Sequence, residues 1–410
     1  MNEYPPDMIS ADGSSAAPST FKSRPYDLAV DTIPKADLDE LTAWMQEYPR
    51  LTMWEETTRF EREWAEWLGV KHAVMVNSGS SADLLMYAAL DTSGRSGNRK
   101  VVVPASGWST TIAPALQFGW QAVMCESSPE TFGIDPDALT RLIDKERPDT
   151  VVVVHVLGVP NRMEPILELK KQYGFNLLED CCAAHGSRHQ GRKVGTFGDL
   201  SSFSFYYGHH MSTVEGGMVC TDDEELYHHL LMLRSHGWLK DLPVEKTARL
   251  LEESGMDAFH TPFLFAIPGF NVRATDINAK LGRIQLRRLD EVVARRCKNH
   301  AAYQQGLDGV IGYARPCEGD EVSSISFCAV ADSSAQRKTI VEALVREQID
   351  TRLFTAGNLG RHPFWTRKYG VFRAPTADAL YEGGFFLPNN QALSVDDVQK
   401  ICDVVQSAAG

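Results

Sequence analysis

The sequence lacks the features that would place it in a membrane or on a nucleic acid. No uninterrupted apolar run approaches the roughly 20 residues of a transmembrane helix, and the best candidate, Val151 to Val159, is interrupted by His155. Basic residues are outnumbered, with 41 Lys and Arg against 54 Asp and Glu. Because a nucleic-acid groove needs clustered Lys and Arg for its phosphate contacts, we expect no membrane and no nucleic-acid partner.

Cysteine pairs and targeting signals are missing as well. The eight cysteines include no C-x-C or C-x-x-C spacing, which argues against a zinc ribbon or an iron–sulfur cluster, so no metal site is expected. The first 20 residues have neither a basic start nor an apolar stretch, unlike a signal peptide. We therefore expect a cytoplasmic protein with reduced thiols, whose residues 1–25 form a disordered tail.

What remains is a chain of 410 residues with a globular composition, long enough for two or three domains. From residue 72 onward, apolar runs typical of buried parallel strands alternate with helical patterns, which predicts an α/β fold covered on both faces. We predict a large domain over residues 26–290 and a smaller one over residues 291–410. Further along, we expect an irregular excursion over residues 239–259, one long helix over residues 275–306 and a strand at residues 351–354.

Three signals follow predicted strands of the large domain. The loop NSGSSA (77–82) places Gly79 and Ser80 at a helix start, where backbone N–H groups can bind an anion. Taken alone, an ordinary Gly/Ser turn is the more common explanation. Asp180 ends a buried strand, where its carboxylate could hold a pyridinium nitrogen or equally make a cap or salt bridge. Trp108 could stack on a planar ring, although a core position is the commoner role.

The segment SSFSFYYGHHMSTVEGG (201–217) is the most specific. With it, and with stretches such as AVMVNSGS (73–80) and PGFNVR (268–273), the chain resembles the DegT/DnrJ/EryC1/StrS sugar aminotransferase-like family. In that family a lysine, six residues before the E-G-G motif, forms a Schiff base with the cofactor. His209 stands at that position here, a replacement that marks the sugar 3-dehydratases of the family.

The resemblance implies a fold and a reaction. The fold is that of a fold-type I pyridoxal phosphate-dependent transferase, with a mostly parallel seven-stranded sheet in the large domain and a smaller C-terminal α+β domain. The cofactor is pyridoxal 5'-phosphate, alternating with pyridoxamine 5'-phosphate, and L-glutamate is the amine donor. The substrate is a nucleotide-linked 4-keto-6-deoxyhexose, with GDP-4-keto-6-deoxymannose as the first expectation. The resemblance therefore implies a lyase that removes the C3 hydroxyl group. It also implies a homodimer with shared active sites.

The resemblance also implies individual roles. Asp180 pairs with the pyridine nitrogen, Trp108 stacks on the ring, and His209 is the catalytic base and acid. The phosphate is held by Gly79, Ser80 and Ser204, and Asn271 reaches the phosphate of the neighbouring subunit's cofactor. Weaker candidates for substrate contacts are His236, Arg352 and Trp54.

Two departures from the family pattern leave the substrate open. Ala183 replaces a usual Gln three residues after Asp180, and Trp54 replaces a small Gly. The vicinal Cys181 and Cys182 have no functional explanation. The alternatives are an iron–sulfur-type 3-dehydrase, disfavoured by the absent C-x-C element, an aminotransferase-like protein of other specificity, disfavoured by the absent lysine, and a non-catalytic cofactor-binding protein.

Overall fold

The structure, a computed structural model, describes residues 25–257 and 259–410, so the tail predicted over residues 1–25 lies outside the described residues except for Pro25. A large sheet and its flanking helices account for the first part of the chain. In order, these elements are α1 (Lys35–Met45), α2 (Glu55–Leu68), β1 (His72–Val76), α3 (Gly79–Thr92), β2 (Lys100–Pro104), α4 (Ser109–Gln117), β3 (Gln121–Cys125), α5 (Pro136–Glu146), β4 (Thr150–Val154), α6 (Met163–Tyr173), β5 (Asn176–Asp180), β6 (Arg188–His189), β7 (Arg192–Lys193), β8 (Leu200–Ser204), β9 (Gly217–Thr221), α7 (Glu224–Arg234), α8 (Val244–Ser254), α9 (Asp276–Leu286) and α10 (Leu289–Leu307).

The large sheet has seven strands in the order β1-β9-β8-β5-β4-β2-β3. The pairings among β8, β5, β4, β2 and β3 are parallel, whereas β9 runs antiparallel to both β1 and β8. This topology confirms the predicted mostly parallel seven-stranded sheet.

Both faces of this sheet are buried. Alternate residues of one strand join different core clusters: Val74 of β1 packs with α3 and α7, and its neighbour Met75 packs with α2 and α9. Similarly, Val152 of β4 faces the first cluster and Val153 faces α5 and α6. Strands enclosed on both sides read as continuous apolar runs, which is the pattern that predicted them.

A second, three-stranded antiparallel sheet follows in the C-terminal part, in the order β10 (Gly312–Tyr313), β11 (Ser326–Val330) and β12 (Gly384–Pro388). It packs with α10, α11 and α14 around its own apolar cluster, so the predicted smaller α+β unit is present. No helix among the described residues is long and apolar enough to cross a bilayer. The remaining elements are β10 (Gly312–Tyr313), β11 (Ser326–Val330), α11 (Ser334–Arg346), α12 (Pro363–Tyr369), α13 (Pro375–Gly383), β12 (Gly384–Pro388) and α14 (Val395–Ala409).

Three of the expected elements are wrong. The single helix predicted over residues 275–306 is two helices, α9 and α10, because the backbone leaves the helical region at Arg288, whose guanidinium binds the Asp37 carboxylate. The excursion over residues 239–259 contains an ordinary helix, α8, that ends at Gly255 in the left-handed conformation. The strand expected at residues 351–354 is reduced to an isolated bridge at Leu353.

Candidate active site

The carboxyl ends of the parallel strands meet at one edge of the large sheet. Asp180, the last residue of β5, pairs with Ser202 of β8, which ends two residues later at Ser204. Ser204 of β8 and Val76 of β1 both pair with Gly217, the first residue of antiparallel β9. Ligands of open α/β sheets bind at this edge. The fold therefore brings the loop after β1, Asp180 and Ser204 together, as the sequence predicts.

Small residues allow the start of α3 to lie directly against this edge. A Cβ atom on Gly79 would lie 2.5 Å from the Cβ atom of Ser204, and one on Gly217 would collide with the backbone of Ser78. Ser78 caps α3 with its side chain. The first N–H groups of a helix have no intrahelical acceptor and lie at its positive end. The start of α3, together with Ser204 and Gly217, therefore forms a narrow anion cradle, named here the Gly79 cradle.

A second helix start lies beside the Gly79 cradle. The hydroxyl groups of Ser80 in α3 and Thr110 in α4 are 3.2 Å apart. Trp108 is the residue that precedes α4, and 56% of its surface is exposed. The loop that carries it is tied to the C-terminal part of the chain, since the Thr355 hydroxyl donates a hydrogen bond of 3.0 Å to the carbonyl of Gly107. An exposed indole next to an anion cradle suits a phosphorylated planar ring.

The Asp180 carboxylate is held by two donors. The hydroxyl of Thr111 donates to Oδ2 at 2.5 Å, and the amide of Cys182 donates to Oδ1 at 3.0 Å. The residue is 5% exposed. Both donors come from segments next to the sheet edge, so the orientation of this carboxylate is fixed before any ligand binds. Thr111 was not singled out from the sequence, although its STT segment carries part of the family resemblance.

His209 lies in the turn that follows β8. Its amide donates to the carbonyl of Tyr206 at 3.2 Å, and its buried Nδ1 atom has no hydrogen-bond partner in the described part of the chain. Burial and then the positive charge of Arg296 lower the pKa of His209 to about 4. The imidazole is therefore neutral at physiological pH, which is the form that accepts a proton.

Further buried groups behind His209 are not predicted by the sequence pattern. His185 stacks on His210 with ring centroids 4.9 Å apart, and it meets the ring of His209 edge-on at 6.3 Å. Arg296 is 1% exposed and donates to the backbone carbonyls of Ser324 and Ile325, directly before β11. His185 could have been identified as a candidate site residue from the sequence, because it lies only five residues after Asp180. Nothing in the sequence around Arg296 indicates that its charge is enclosed.

The other predicted residues lie outside this group. Asn271 and His236 are exposed on two neighbouring segments joined by a backbone bridge. Arg352 lies closer to His209 than these two residues do, because its positive charge contributes to the lowered pKa of His209. Trp54 is 54% exposed at the start of α2 and lines a groove among α1, α2 and α9 that includes no residue from the strand ends.

The site fits a phosphorylated pyridine cofactor. The Gly79 cradle leaves no room for a side chain and offers backbone N–H groups to a phosphate. Trp108 presents an exposed aromatic face, and Asp180 supplies a buried carboxylate at the same edge. His209 stands at the position to which the resemblance assigns a lysine, and an imidazole cannot form that residue's covalent bond.

Comparisons with known proteins agree with this geometry. GDP-4-keto-6-deoxy-D-mannose 3-dehydratase of Yersinia pseudotuberculosis is 32% identical over 363 residues, covering 87% of this chain and 92% of that protein. dTDP-4-dehydro-2,6-dideoxy-D-glucose 3-dehydratase of Saccharopolyspora spinosa is 33% identical over 339 residues, covering 78% of this chain and 72% of that protein.

A solved structure extends the comparison to the fold. GDP-4-keto-6-deoxymannose-3-dehydratase with a trapped PLP-glutamate geminal diamine has a TM-score of 0.84 and 29% sequence identity to this chain, covering 93% of this chain and 100% of that one. This similarity confirms the predicted fold of pyridoxal phosphate-dependent transferases. The model of the DegT/DnrJ/EryC1/StrS aminotransferase family matches residues 32–406, nearly the whole sequence. The chain therefore belongs to the DegT/DnrJ/EryC1/StrS aminotransferase family.

Proposed function

We propose that the protein is a pyridoxal phosphate-dependent sugar 3-dehydratase. It removes the C3 hydroxyl group of a nucleotide-linked 4-keto-6-deoxyhexose, with GDP-4-keto-6-deoxymannose as the preferred candidate. The observation that carries the proposal is His209, a neutral, half-buried imidazole in the turn after β8, at the position where the family carries its lysine. The similarity to two sugar 3-dehydratases supports the reaction class.

Residues of the sheet edge would hold the cofactor. The first amides of α3 and the hydroxyl groups of Ser80 and Ser204 would bind its phosphate, the Asp180 carboxylate would bind its pyridine nitrogen, and the indole of Trp108 would cover its ring. When bound as pyridoxamine phosphate, the cofactor supplies an amine for the C4 ketone and a ring that accepts electrons. Since His209 makes no covalent bond to it, the cofactor would be held by noncovalent contacts.

His209 moves the proton. As a neutral imidazole, it would first take a proton from the carbon that joins the cofactor's amine to its ring. Once protonated it is a strong acid, because burial and the charge of Arg296 hold its pKa at about 4. It therefore readily returns the proton to the C3 hydroxyl group as this group leaves as water. A low pKa weakens the neutral imidazole as a base and strengthens its protonated form as an acid, so it favours the second of these two proton transfers.

We also propose L-glutamate as the amine donor, a homodimer with shared active sites, and a cytoplasmic location. The glutamate proposal is supported by the PLP-glutamate adduct named for the solved relative. The dimer proposal is supported by exposed aromatic side chains around the site, Trp108, Tyr206 and Tyr207, and by the exposed Asn271, which would reach the neighbouring subunit's cofactor. We retain residues 26–290 and 291–410 as the proposed domain boundaries.

Mass spectrometry of the product tests the reaction. The protein is incubated with pyridoxal phosphate, L-glutamate and GDP- or dTDP-linked 4-keto-6-deoxyhexoses. We expect a product that lacks one oxygen atom, with 2-oxoglutarate and ammonia formed in equal amounts, and a preference for the GDP sugar. A product with nitrogen in place of the keto oxygen would instead identify an aminotransferase and refute the role given to His209.

A further inference from the structure

A second buried carboxyl group lies beside Asp180. Asp83, on the face of α3 that packs against the sheet, is 2% exposed. Its Oδ1 atom accepts a hydrogen bond of 2.6 Å from the hydroxyl of Ser202. One carboxylate oxygen of Asp83, one of Asp180 and the sulfur of Cys182 lie within 4.8 Å of one another. The site thus places two acidic side chains where the pyridine nitrogen of the cofactor needs one.

Two buried carboxyl groups this close cannot both ionise readily, because each charge opposes the other. The difference in their donors decides which one keeps the proton. Asp180 accepts from both Thr111 and Cys182, and hydrogen bonds to a carboxylate favour its charged form. Asp83 interacts with the hydroxyl groups of Ser202 and Thr110, and among the described residues it receives no backbone amide of the kind that Cys182 gives to Asp180. Burial and then the charge of Asp180 raise the pKa of Asp83 well above its ordinary value, against the opposing effect of those two hydrogen bonds.

The other titratable groups around the pair leave it without a counter-charge. Tyr87, from α3, and the thiols of Cys181 and Cys182, after β5, all have pKa values raised well above normal, first by burial and then by nearby carboxylates. These groups are neutral at physiological pH. No cation appears among the groups that shift the pKa of Asp83 in the described residues. One of the two carboxyl groups is therefore expected to keep its proton.

We propose that Asp83 is a positioning residue for the cofactor: it keeps the proton of the Asp83–Asp180 pair, so that one negative charge, located on Asp180, faces the pyridine nitrogen. The inference rests on the proposed function in one respect, namely that Asp180 binds that nitrogen. The protonation of Asp83 itself is a property of the protein without cofactor. The two parts can therefore be tested separately.

The first test measures the melting temperature of the cofactor-free protein from about pH 5 to about pH 8, for wild type and for Asp83→Asn. A carboxyl group whose folded pKa is raised contributes stability that is complete below its unfolded pKa of about 4 and is lost as pH rises toward the folded pKa. The Asn variant is permanently neutral and isosteric. We expect the melting temperature of the variant, relative to that of wild type, to rise by about 3 °C between pH 5 and pH 8.

Parallel melting curves over that pH range would overturn the proposal. Asp83→Ser, smaller and also neutral, serves as the second variant if Asp83→Asn does not fold, and it must show the same gain. Neither measurement depends on cofactor or substrate, so a failure here leaves the proposed function untouched.

The second test follows the absorbance of bound pyridoxal phosphate against pH. Asp180→Asn removes the proposed charge, and we expect it to lower the apparent pKa of the bound ring nitrogen by at least about one unit, or tenfold in its protonation constant. Asp83→Asn should shift that pKa by less than a third as much. Equal shifts in the two variants would show that both side chains carry charge and would refute the proposal. No shift in either variant would refute the contact between Asp180 and the ring nitrogen, and with it that part of the proposed function.

Discussion

His189 is buried and His209 is half-buried, and their surroundings move their pKa values in opposite directions. Burial by itself lowers the pKa of His189, yet hydrogen bonds to Asp320 and then to Glu164 outweigh burial, and the pKa is raised. The ring lies between the two carboxylates, with Nδ1 2.8 Å from one and Nε2 2.7 Å from the other. His209 has no such partner, and burial together with the charge of Arg296 lowers its pKa to about 4.

The comparison shows how neighbouring charges separate a histidine within ion pairs from the one that we propose as the proton carrier. With a carboxylate near each nitrogen, the ring of His189 links β6 to α6 and to the loop before β11, and its pKa is raised. The positive charges of Arg296 and Arg352 instead lower the pKa of His209, whose Nδ1 atom is unpaired among the described residues. Side-chain identity is the same at both positions, so the neighbouring charges decide the role.

The largest expected effect is on turnover, which should fall when His209 is replaced and not when His189 is replaced. His209→Asn should lower turnover by about 10²–10⁴-fold, because a positioned acid–base group contributes that much, while pyridoxal phosphate still binds. His189→Asn is the matched control and should retain turnover in folded protein, since its ring lies among structural ion pairs. Initial rates of 2-oxoglutarate release and absorbance of the bound cofactor measure the two properties. Full turnover in His209→Asn would remove the basis of the comparison.

A smaller effect on stability is expected from the ion pair of His189. Its partner Asp320 has a fully enclosed side chain, whereas that of Glu164 is 58% exposed. Removing one member of a buried pair leaves an uncompensated charge, so Asp320→Asn should lower the free energy of unfolding by about 3 kcal/mol. The exposed partner gives the control, and Glu164→Gln should cost less than about 1 kcal/mol. Urea unfolding measures both, and equal losses would contradict the assignment of Asp320 as the buried anchor.

The smallest effect is a pair of opposite slopes of stability against pH. The raised pKa of His189 means that its stabilising contribution is complete below the unfolded value of about 6.5 and is lost as pH rises through the folded value. The lowered pKa of His209 has the reverse sign, so stability is lost as pH falls from about 6.5 toward about 4. His189→Asn should flatten the alkaline slope and His209→Asn the acid slope. Melting temperatures of the cofactor-free proteins across pH test this, and slopes that stay unchanged would show that neither ring titrates as described.

Much of the fold is predictable because strands that are buried on both faces have continuous apolar runs in the sequence. The apolar runs that predict alternating strands from residue 72 onward do form the large sheet, and the Gly/Ser loop after β1 does lie at the carboxyl edge of the sheet. The helix α5 was not predicted, although Asp135 caps it and Pro136 occupies its first turn, a recognisable start signal. The break between α9 and α10 had no comparable signal, because it depends on a distant Asp37 that holds Arg288.

The sequence by itself determined the family, the order of strands and helices, and the replacement of a lysine by His209, since each of these depends on local patterns or on motifs. The tertiary structure alone decided which charges meet. Arg296 reaches His209 from α10, Asp83 approaches Asp180 from α3, and Asp320 encloses His189 from a loop about 130 residues away. Because electrostatic energy depends on distance and burial and not on separation along the chain, the protonation state of each of these groups could be read only after the chain was folded.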